Sequence, residues 1–246
     1  MTSPWTPRTV AWYERANRRS DYAATVLAAA EPVLAGAGSI LDVGAGFGAL
    51  ALPLASRVER VTALEPASAM RGALRRAIRQ TGLANVRVVA AAWGERALAP
   101  HDVVLCAHVG PLLVPGSSFL AALPVLARQA FVLVHDAPGG DDKFFFSELY
   151  PRLLGRPYGS GRAPRDLLAT LTGLGLVPAA RTVEYRSDQP LRSLAEACAF
   201  WMTHMGLADA AARRFLRAFL AARLRRDGRG WIAPYRKRAA VITWRR

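Results

Sequence analysis

The stretch SILDVGAGFGALALPLA, residues 39–55, decides the fold of this chain. Ile40, Leu41 and Val43 make its beginning the short apolar run of a buried strand. Three glycines follow within the five residues 44–48, and an Ala/Leu-rich helical segment comes next. Glycine has no Cβ, so a strand can turn sharply here and its backbone can approach a ligand closely. The pattern predicts a strand, a glycine turn and a helix whose N-terminus faces a nucleotide or nucleoside.

Two carboxylates flank the glycine turn and narrow its interpretation. Asp42 lies two residues before Gly44, and Glu65 ends the next apolar strand, 21 residues after Gly44. A carboxylate in the second position can accept hydrogen bonds from both ribose hydroxyls. GAGFGA also fits the dinucleotide fingerprint G-x-G-x-x-A, and a tight turn without any ligand is the plainest alternative. We expect Glu65→Ala to weaken ligand binding and to leave folding stability almost unchanged, because the side chain ends a strand at a cleft.

At LDVGAGFG, residues 41–48, the chain resembles the class I S-adenosylmethionine (SAM)-dependent methyltransferases, whose first motif reads roughly L-D-x-G-x-G-x-G. The resemblance continues to about Asp136 and, less specifically, to Arg246. It implies an α/β protein with a Rossmann-like open sheet of about seven strands, mostly parallel with an antiparallel C-terminal strand, and helices on both faces. It also implies SAM as the cofactor, held by Asp42, Gly44, Ala45, Gly46, Glu65 and Pro66.

The resemblance places the adenine end of SAM near Met70, Ala92 and Trp93. Met70 is predicted to pack against the adenine, although a core methionine explains it nearly as well. An acidic residue often ends the third strand in this family, but Ala92 stands at that position, so the carboxylate is missing. We expect the Trp93 ring to contact the adenine, and the backbone N–H of Ala92 or Trp93 to bind one of its nitrogens.

Two helices are predicted before the first strand, at 8–19 and 21–35. In the resembling family such helices can fold over the cofactor, so residues 1–37 are a candidate lid. Trp12 and Tyr13 would then contact the methionine end of SAM. The alternative is that both rings anchor the first helix in the core.

The rest of the chain continues the alternation of strands and helices. Predicted strands lie at 60–65, 85–90, 102–107, 130–136, 176–185 and 239–244, and predicted helices at 48–56, 67–81, 117–128, from 144, 164–174, 190–205 and 207–226. Residues 186–230 form a helical insertion between the last two strands, where the resembling family often carries substrate-recognition elements. No repeat or low-complexity linker interrupts the chain, so we predict a single domain, 1–246.

Composition limits the class of protein. The 246 residues are 52% hydrophobic and 21% charged, as in ordinary globular proteins. The first ten residues lack the apolar core of a signal peptide, and no run approaches the ~18 apolar residues of a membrane span. Cys106 and Cys198 lie far apart without metal-ligand spacing. We therefore expect a reduced, cytoplasmic protein with no metal site and no membrane contact.

The charge is strongly basic and unevenly distributed. The net charge is +15, and residues 201–246 hold 12 Arg and Lys but two acids. Such a surface suits RNA, an acidic protein or an anionic substrate, or it is a solvated helix face. Apolar residues of the helix predicted at 207–226 share one side and Arg213 and Arg217 lie outside it, which favours the solvated face. We expect the regular helix to end near Ala222.

His108 is the candidate catalytic residue. It follows the fourth predicted strand, 102–107, and ligands of open α/β sheets bind beyond the carboxyl ends of the strands. A histidine there either deprotonates the methyl acceptor or serves as a hydrogen-bonded wall of the site. His135 and Tyr158 are further candidates for orienting the acceptor.

The sequence predicts an enzyme that transfers a methyl group directly from SAM to a nucleophile on a small molecule, because the central loops are short and apolar. RNA methylation through the basic C-terminal region is one alternative, and a SAM-binding module without catalysis is another. The 107–116 loop lacks an N/D-P-P-Y/F sequence, which argues against amino methylation of DNA and glutamine methylation of proteins. A nicotinamide-dependent oxidoreductase is disfavoured by Asp42 and by the lack of a Tyr-x-x-x-Lys pair.

Overall fold

A seven-stranded sheet forms the centre of the molecule, in a computed structural model that describes residues 5–159 and 164–246 except for the side chain of Lys143. The strands of the described residues are β1 Ser39–Val43, β2 Arg60–Leu64, β3 Val86–Val89, β4 His101–Ala107, β5 Ala127–Asp136, β6 Ala179–Arg186, β7 Gln189–Leu191, β8 Arg225–Asp227, β9 Gly230–Ala233 and β10 Arg236–Arg245. In space the main sheet runs β3-β2-β1-β4-β5-β10-β6. Strand β10 is antiparallel to both of its neighbours and the other pairs are parallel, which confirms the predicted Rossmann-like fold.

Helices cover both faces of this sheet. Within the described residues they are α1 Pro7–Asn17, α2 Tyr22–Leu34, α3 Ala51–Ala55, α4 Ser68–Thr81, α5 Ser118–Leu126, α6 Phe146–Leu154, α7 Pro164–Gly173, α8 Leu194–Met205 and α9 Ala210–Arg223. Helices α2 and α3 pack on the face that carries Ile40, and α5 and α7 on the face that carries Leu41. The central strands are buried on both faces, which explains why they read as continuous apolar runs. None of the described helices is long and apolar enough to cross a membrane.

The order of the strands fixes where a ligand can bind. In the sheet, β2 lies on one side of β1 and β4 lies on its other side. The connections after β1 and β4 therefore diverge, and a crevice opens at the carboxyl ends of these two strands. The glycine turn follows β1, and His108 follows β4, so both lie at this crevice.

The insertion between β6 and β10 contains more than the predicted helices. Strands β7, β9 and β8 pair in that order as a small antiparallel sheet beside α8 and α9. The prediction of helix at 190–226 is wrong at both ends, because β7 and β8 occupy them. Strands of three residues are too short to show a periodicity in the sequence. The assignment of one domain stays a prediction.

Helix α9 confirms the predicted amphipathic pattern. The Asp209 side chain caps it by accepting a hydrogen bond from Ala212 N at 2.7 Å. Leu216 and Leu220 are fully buried, whereas Arg213 and Arg217 are exposed. These two arginines therefore lie outside the apolar face, as predicted. The helix ends at Arg223, one residue past the predicted end near Ala222.

Helix α1 is anchored by Trp12, which is 1% exposed. Its indole N–H donates to Glu196 on α8 at 3.1 Å, and its ring packs edge-on against Phe200 at 5.2 Å between centroids. Trp12 is therefore an anchor between α1 and the insertion, and the prediction that it contacts the cofactor is wrong.

Candidate functional site

The glycine turn after β1 requires its glycines for two reasons. Gly44, Gly46 and Gly48 have φ angles of +78°, +58° and +93°, which side-chain-bearing residues rarely adopt. A Cβ on Gly44 would lie 2.3 Å from Cγ2 of Val109, in the loop after β4. The turn and that loop are thus in direct contact. Helix α3 has five residues and starts at Ala51 instead of residue 48, so the predicted helix N-terminus lies three residues further from the turn.

Glu65 holds the turn in place. Its carboxylate is buried at 6% exposure, and one oxygen accepts a hydrogen bond from Gly46 N at 2.8 Å while the other accepts from Ala67 N at 2.8 Å. An ionised carboxylate has about four acceptor positions, so both oxygens can still accept ligand hydroxyls. The expectation that Glu65→Ala leaves stability unchanged is wrong, since the side chain ties the turn to the start of α4.

Asp42 is buried beside the turn at 3% exposure. Burial, and then the charge of Glu65, raise the pKa of Asp42 to about 7. Within residues 5–159 and 164–246, no hydrogen-bond donor or cation offsets this carboxyl group. Two acids therefore lie close together at the turn, and among the described residues neither carboxylate forms an ion pair, although Arg71 donates to the Glu65 carbonyl oxygen at 2.9 Å. A cationic ligand would stabilise this arrangement.

The end of β3 departs from its predicted role. The N–H of Ala92 donates to Glu95 Oε2 at 2.7 Å, so it is already occupied, and the predicted adenine contact then falls to the backbone of Trp93. The Trp93 indole donates to Ser118 Oγ at 3.1 Å and packs edge-on against Phe119. Glu95 was not predicted from the sequence. Its backbone N–H donates to the Ala92 carbonyl oxygen and closes a turn, and its side chain folds back over that turn.

Met70 lies against the glycine turn, and its predicted contact with the adenine stays a prediction. It is 5% exposed, and its sulfur is 4.0 Å from where a Cβ on Gly46 would stand. Met70 belongs to a small apolar cluster that also contains Val10 of α1. The partly buried Phe47 packs against this cluster. The position of Val10 was not predictable, since one valine on an amphipathic helix indicates a packed face and nothing more.

Tyr13 contacts the insertion, as the anchoring alternative expects. Its hydroxyl is 3.2 Å from His204 Nε2 on α8, and its ring packs edge-on against Trp5. Burial, with a smaller effect from Tyr158, raises the pKa of Tyr13 to about 12. These contacts assign Tyr13 to the junction between α1 and the insertion, so the prediction that it binds the cofactor has no support in the geometry.

His108 lies past the end of β4, at the position predicted for it. Its Nδ1 is 3.2 Å from Asp136 Oδ1 at the end of β5. The ring of Tyr22, from α2, lies 5.5 Å from the imidazole between centroids. Asp136 was not predicted as a site residue, because nothing in the sequence relates it to His108 before the two strands pair.

The two further candidates for orienting the acceptor have different positions. His135 lies on the opposite face of β5 from Asp136, and its Nδ1 donates to the Asp136 carbonyl oxygen at 2.8 Å, so its predicted role loses its geometric basis. Tyr158 packs against Tyr150 and Phe146, and burial raises its pKa, with Asp136 adding to the effect. Among the described residues no group of three or more His, Cys, Asp or Glu is placed to hold a metal ion.

Comparison with known families agrees with this geometry. Residues 40–128, which contain the glycine turn, Glu65 and His108, match the family model described as a methyltransferase domain. This part of the chain is a class I, SAM-dependent methyltransferase domain. Its cofactor is S-adenosylmethionine. No curated protein sequence matches the chain significantly.

Solved structures share the fold over most of the chain. The YcgJ protein from Bacillus subtilis matches with a TM-score of 0.56 and 16% identity, over 91% of this chain and 98% of that one. A putative methyltransferase from Bacillus halodurans matches with a TM-score of 0.57 and 18% identity, over 89% and 97%. Magnesium protoporphyrin IX methyltransferase from Synechocystis, with bound SAH, matches with a TM-score of 0.52 and 16% identity, over 94% and 85%. At these identities the likeness establishes the fold alone.

The residues at the methyltransferase crevice fit SAM chemically. SAM carries a positive sulfonium and a positive amino group, which suit the two carboxyl groups that lack a cationic partner. Its ribose offers two hydroxyl donors, which suit the free acceptor positions of Glu65. Which residues of the methyltransferase contact SAM stays a prediction, centred on Asp42, the glycine turn and Glu65 with Pro66.

Proposed function

We propose that this methyltransferase transfers the methyl group of SAM directly to a small-molecule acceptor at the carboxyl edge of the sheet. The observation that carries the proposal is the contact between the glycine turn and the loop that begins at His108, through Gly44 and Val109. This contact supports a cofactor site next to His108, the side chain proposed to accept a proton. SAM supplies an electrophilic methyl group when bound, and the protein's task is to orient the acceptor and exclude water.

The surroundings of His108 favour a small acceptor. Helix α2 covers this face of the sheet, and the ring of its Tyr22 lies 5.5 Å from the imidazole between centroids. An apolar ring with a polar tip suits a compact organic molecule. Two proteins of the same fold, magnesium protoporphyrin IX methyltransferase and precorrin-6y C5,15-methyltransferase, are named for small-molecule acceptors, which supports the proposal.

The protein is expected to bind SAM and its demethylated product with micromolar-order affinity, about −8 kcal/mol. The reason is the pair of carboxyl groups and the glycine turn at one crevice. Isothermal titration calorimetry with SAM, the demethylated product and NAD measures this. Binding of NAD with no heat from either SAM compound contradicts the assignment, and SAM binding with no labelled product from any acceptor supports the non-catalytic alternative.

The basic surface supports RNA as a second candidate substrate. Arg8, Arg192 and Arg213 line one groove of about 570 Å³ between α1, α8 and α9. Two other basic side chains of this region are already engaged, since Arg223 pairs with Glu148 at 2.6 Å and Arg226 stacks on Trp231 at 4.0 Å. The groove offers phosphate contacts, but among its described lining residues no aromatic platform for bases is present.

We therefore expect weak, salt-sensitive RNA binding without site preference. Non-specific phosphate contacts give dissociation constants of roughly 10⁻⁴–10⁻⁶ M at physiological salt. A filter-binding titration against structured RNA across a salt series measures the effect, with Arg192→Ala and Arg213→Ala as groove variants. Submicromolar binding that persists at ~0.2 M salt would make RNA the substrate and overturn the small-molecule proposal.

A further inference from the structure

His108 is held in a backbone conformation that costs free energy. Its φ angle is +56°, in the left-handed region, which costs a residue with a Cβ about 1–2 kcal/mol. Its N–H donates to the Val134 carbonyl at 2.9 Å, which extends the pairing of β4 with β5 by one residue and fixes this conformation. Strained residues of this kind concentrate at functional sites.

The strain brings the imidazole to a particular face of the sheet. Side chains alternate along β5, and Val132 and Val134 pack on the face covered by α2, so Asp136 projects on that face too. Asp136 meets His108 Nδ1 at 3.2 Å, and Tyr22 from α2 covers the ring. The His108 and Asp136 side chains are 29% and 64% exposed, so a ligand can reach both.

The tyrosines and the thiol around His108 keep their protons at neutral pH. Burial raises the pKa of Tyr22 well above its ordinary range, and neighbouring Tyr185, Asp42, Asp136 and Cys106 add to the effect. Burial likewise raises the pKa of the Tyr185 hydroxyl on β6 and of the Cys106 thiol on β4. Asp42 lies on β1 beside the glycine turn, and Asp136 contacts the imidazole itself. Among these side chains the imidazole is the one suited to take a proton from a methyl acceptor.

We propose that His108 and Asp136 form a general-base pair, and that the acceptor of this methyltransferase is an aromatic or enolic hydroxyl compound. The inference rests on the proposed small-molecule methyl transfer and names its substrate class. Asp136 acts as a positioning residue, because it holds the Nδ1–H of a neutral ring and leaves Nε2 free to accept a proton.

The chemistry balances without a further reactant. The acceptor's O–H bond breaks and its proton passes to His108 Nε2, while the oxygen's electron pair forms the new bond to the methyl carbon. The electrons of the old carbon–sulfur bond remain on the sulfur of SAM. The carboxylate of Asp136 stabilises the imidazolium that results, and water takes the proton after product release.

The class of acceptor follows from the strength of the base and from the walls. A phenol or enol, with a pKa near 10 as for tyrosine, lies within reach of an imidazole base, whereas an alkyl alcohol is far weaker as an acid. Asp136 and Asp42 disfavour an anionic acceptor by repulsion. The ring of Tyr22, 5.5 Å from the imidazole between centroids, gives the base an apolar wall that suits an aromatic acceptor.

The tautomer of His108 tests the base pair without any substrate. The chain has four histidines, so nitrogen NMR of protein labelled at histidine can assign His108 by comparison with His108→Gln. We expect the neutral wild-type ring to carry its proton on Nδ1 and Asp136→Ala to shift it toward Nε2. His135→Gln is the matched control, and it should leave the His108 signals unchanged. A wild-type ring protonated on Nε2 would overturn the base pair.

Acceptor class is tested by adding catechol and other simple phenols, each compared with its methyl ether. The phenols should shift the His108 Nε2 signal and the ethers should not, and absence of a shift with every phenol contradicts the hydroxyl class. With a phenol that is methylated by labelled SAM, His108→Gln should lower kcat about 10²–10⁴-fold and leave SAM binding unchanged. Retention of kcat within about threefold would overturn a base role. Failure of SAM binding in the wild type, by contrast, refutes the proposed function itself.

Discussion

Glu65→Ala is expected to lower both folding stability and SAM affinity. Two buried backbone N–H groups, of Gly46 and Ala67, lose their acceptor, and each such loss costs about 1–3 kcal/mol. Removing the charge also relieves Asp42, which offsets part of the cost, so we expect a net loss of about 2 kcal/mol in the free energy of unfolding. SAM binding should weaken by roughly 1.5–3 kcal/mol, because charged hydrogen bonds to hydroxyls are lost.

Strand β2 provides a matched control for this variant. Glu59 precedes the strand and Glu65 follows it. Glu59 is exposed and lies at the amino end of β2, whereas the glycine turn lies at the carboxyl ends of the strands. Glu59→Ala should therefore leave both quantities unchanged. Urea denaturation and calorimetry with SAM measure the two effects separately. If Glu65→Ala binds SAM within about twofold of the wild type, the ribose role of Glu65 is wrong.

The sheet could be predicted from the sequence because its strands are buried on both faces. Ile40, Leu41 and Val43 are divided between the two helical layers, which is why these three residues of β1 are apolar. Such runs, separated by turns and helices, indicate a parallel sheet directly. The small sheet of the insertion escaped prediction, since its strands have only three or four residues and β7 pairs with β9, about 40 residues further along the chain.

The candidate site divides in the same way between local and long-range information. The glycine turn and Glu65 were predictable, because close backbone approach and a strand-end carboxylate leave a local signature. Asp136 and Glu95 were not predictable. Asp136 meets His108 only when β4 and β5 pair, and Glu95 meets Ala92 only in a turn that has no sequence signature. The contact of Tyr13 with His204 was not predictable for the same reason, since an aromatic residue on an amphipathic helix does not indicate which neighbour it meets.

Asp42→Asn is expected to stabilise the protein at alkaline pH and to abolish part of its pH dependence. The pKa of Asp42 is about 7 in the folded protein against 3.8 for the free side chain. Below pH ~4 the Asp42 carboxyl is protonated in both the folded and the unfolded state, so it does not lower the free energy of unfolding. As the pH rises toward 7 the unfolded chain ionises first, so stability falls, by about 4 kcal/mol at most over these three units. Asparagine has the same shape and no charge, so the variant should gain about 2–4 kcal/mol over the wild type at pH 8.

The measurement is the free energy of unfolding of both proteins from pH 4 to 8, because other acids of the chain titrate in both and cancel in the difference. Asp102→Asn is the contrasting variant: this carboxylate on β4 accepts from Gly38 N, Ser39 N and Ser39 Oγ at 2.8–3.0 Å, so its loss should destabilise the protein. If Asp42 serves a cationic cofactor, wild-type SAM affinity should rise as the pH increases through about 7, with a proton released on binding, and Asp42→Asn should bind SAM more weakly and without this dependence. Stability curves that run parallel for wild type and Asp42→Asn would show that Asp42 ionises normally, and the electrostatic basis for a cation at the glycine turn would be lost.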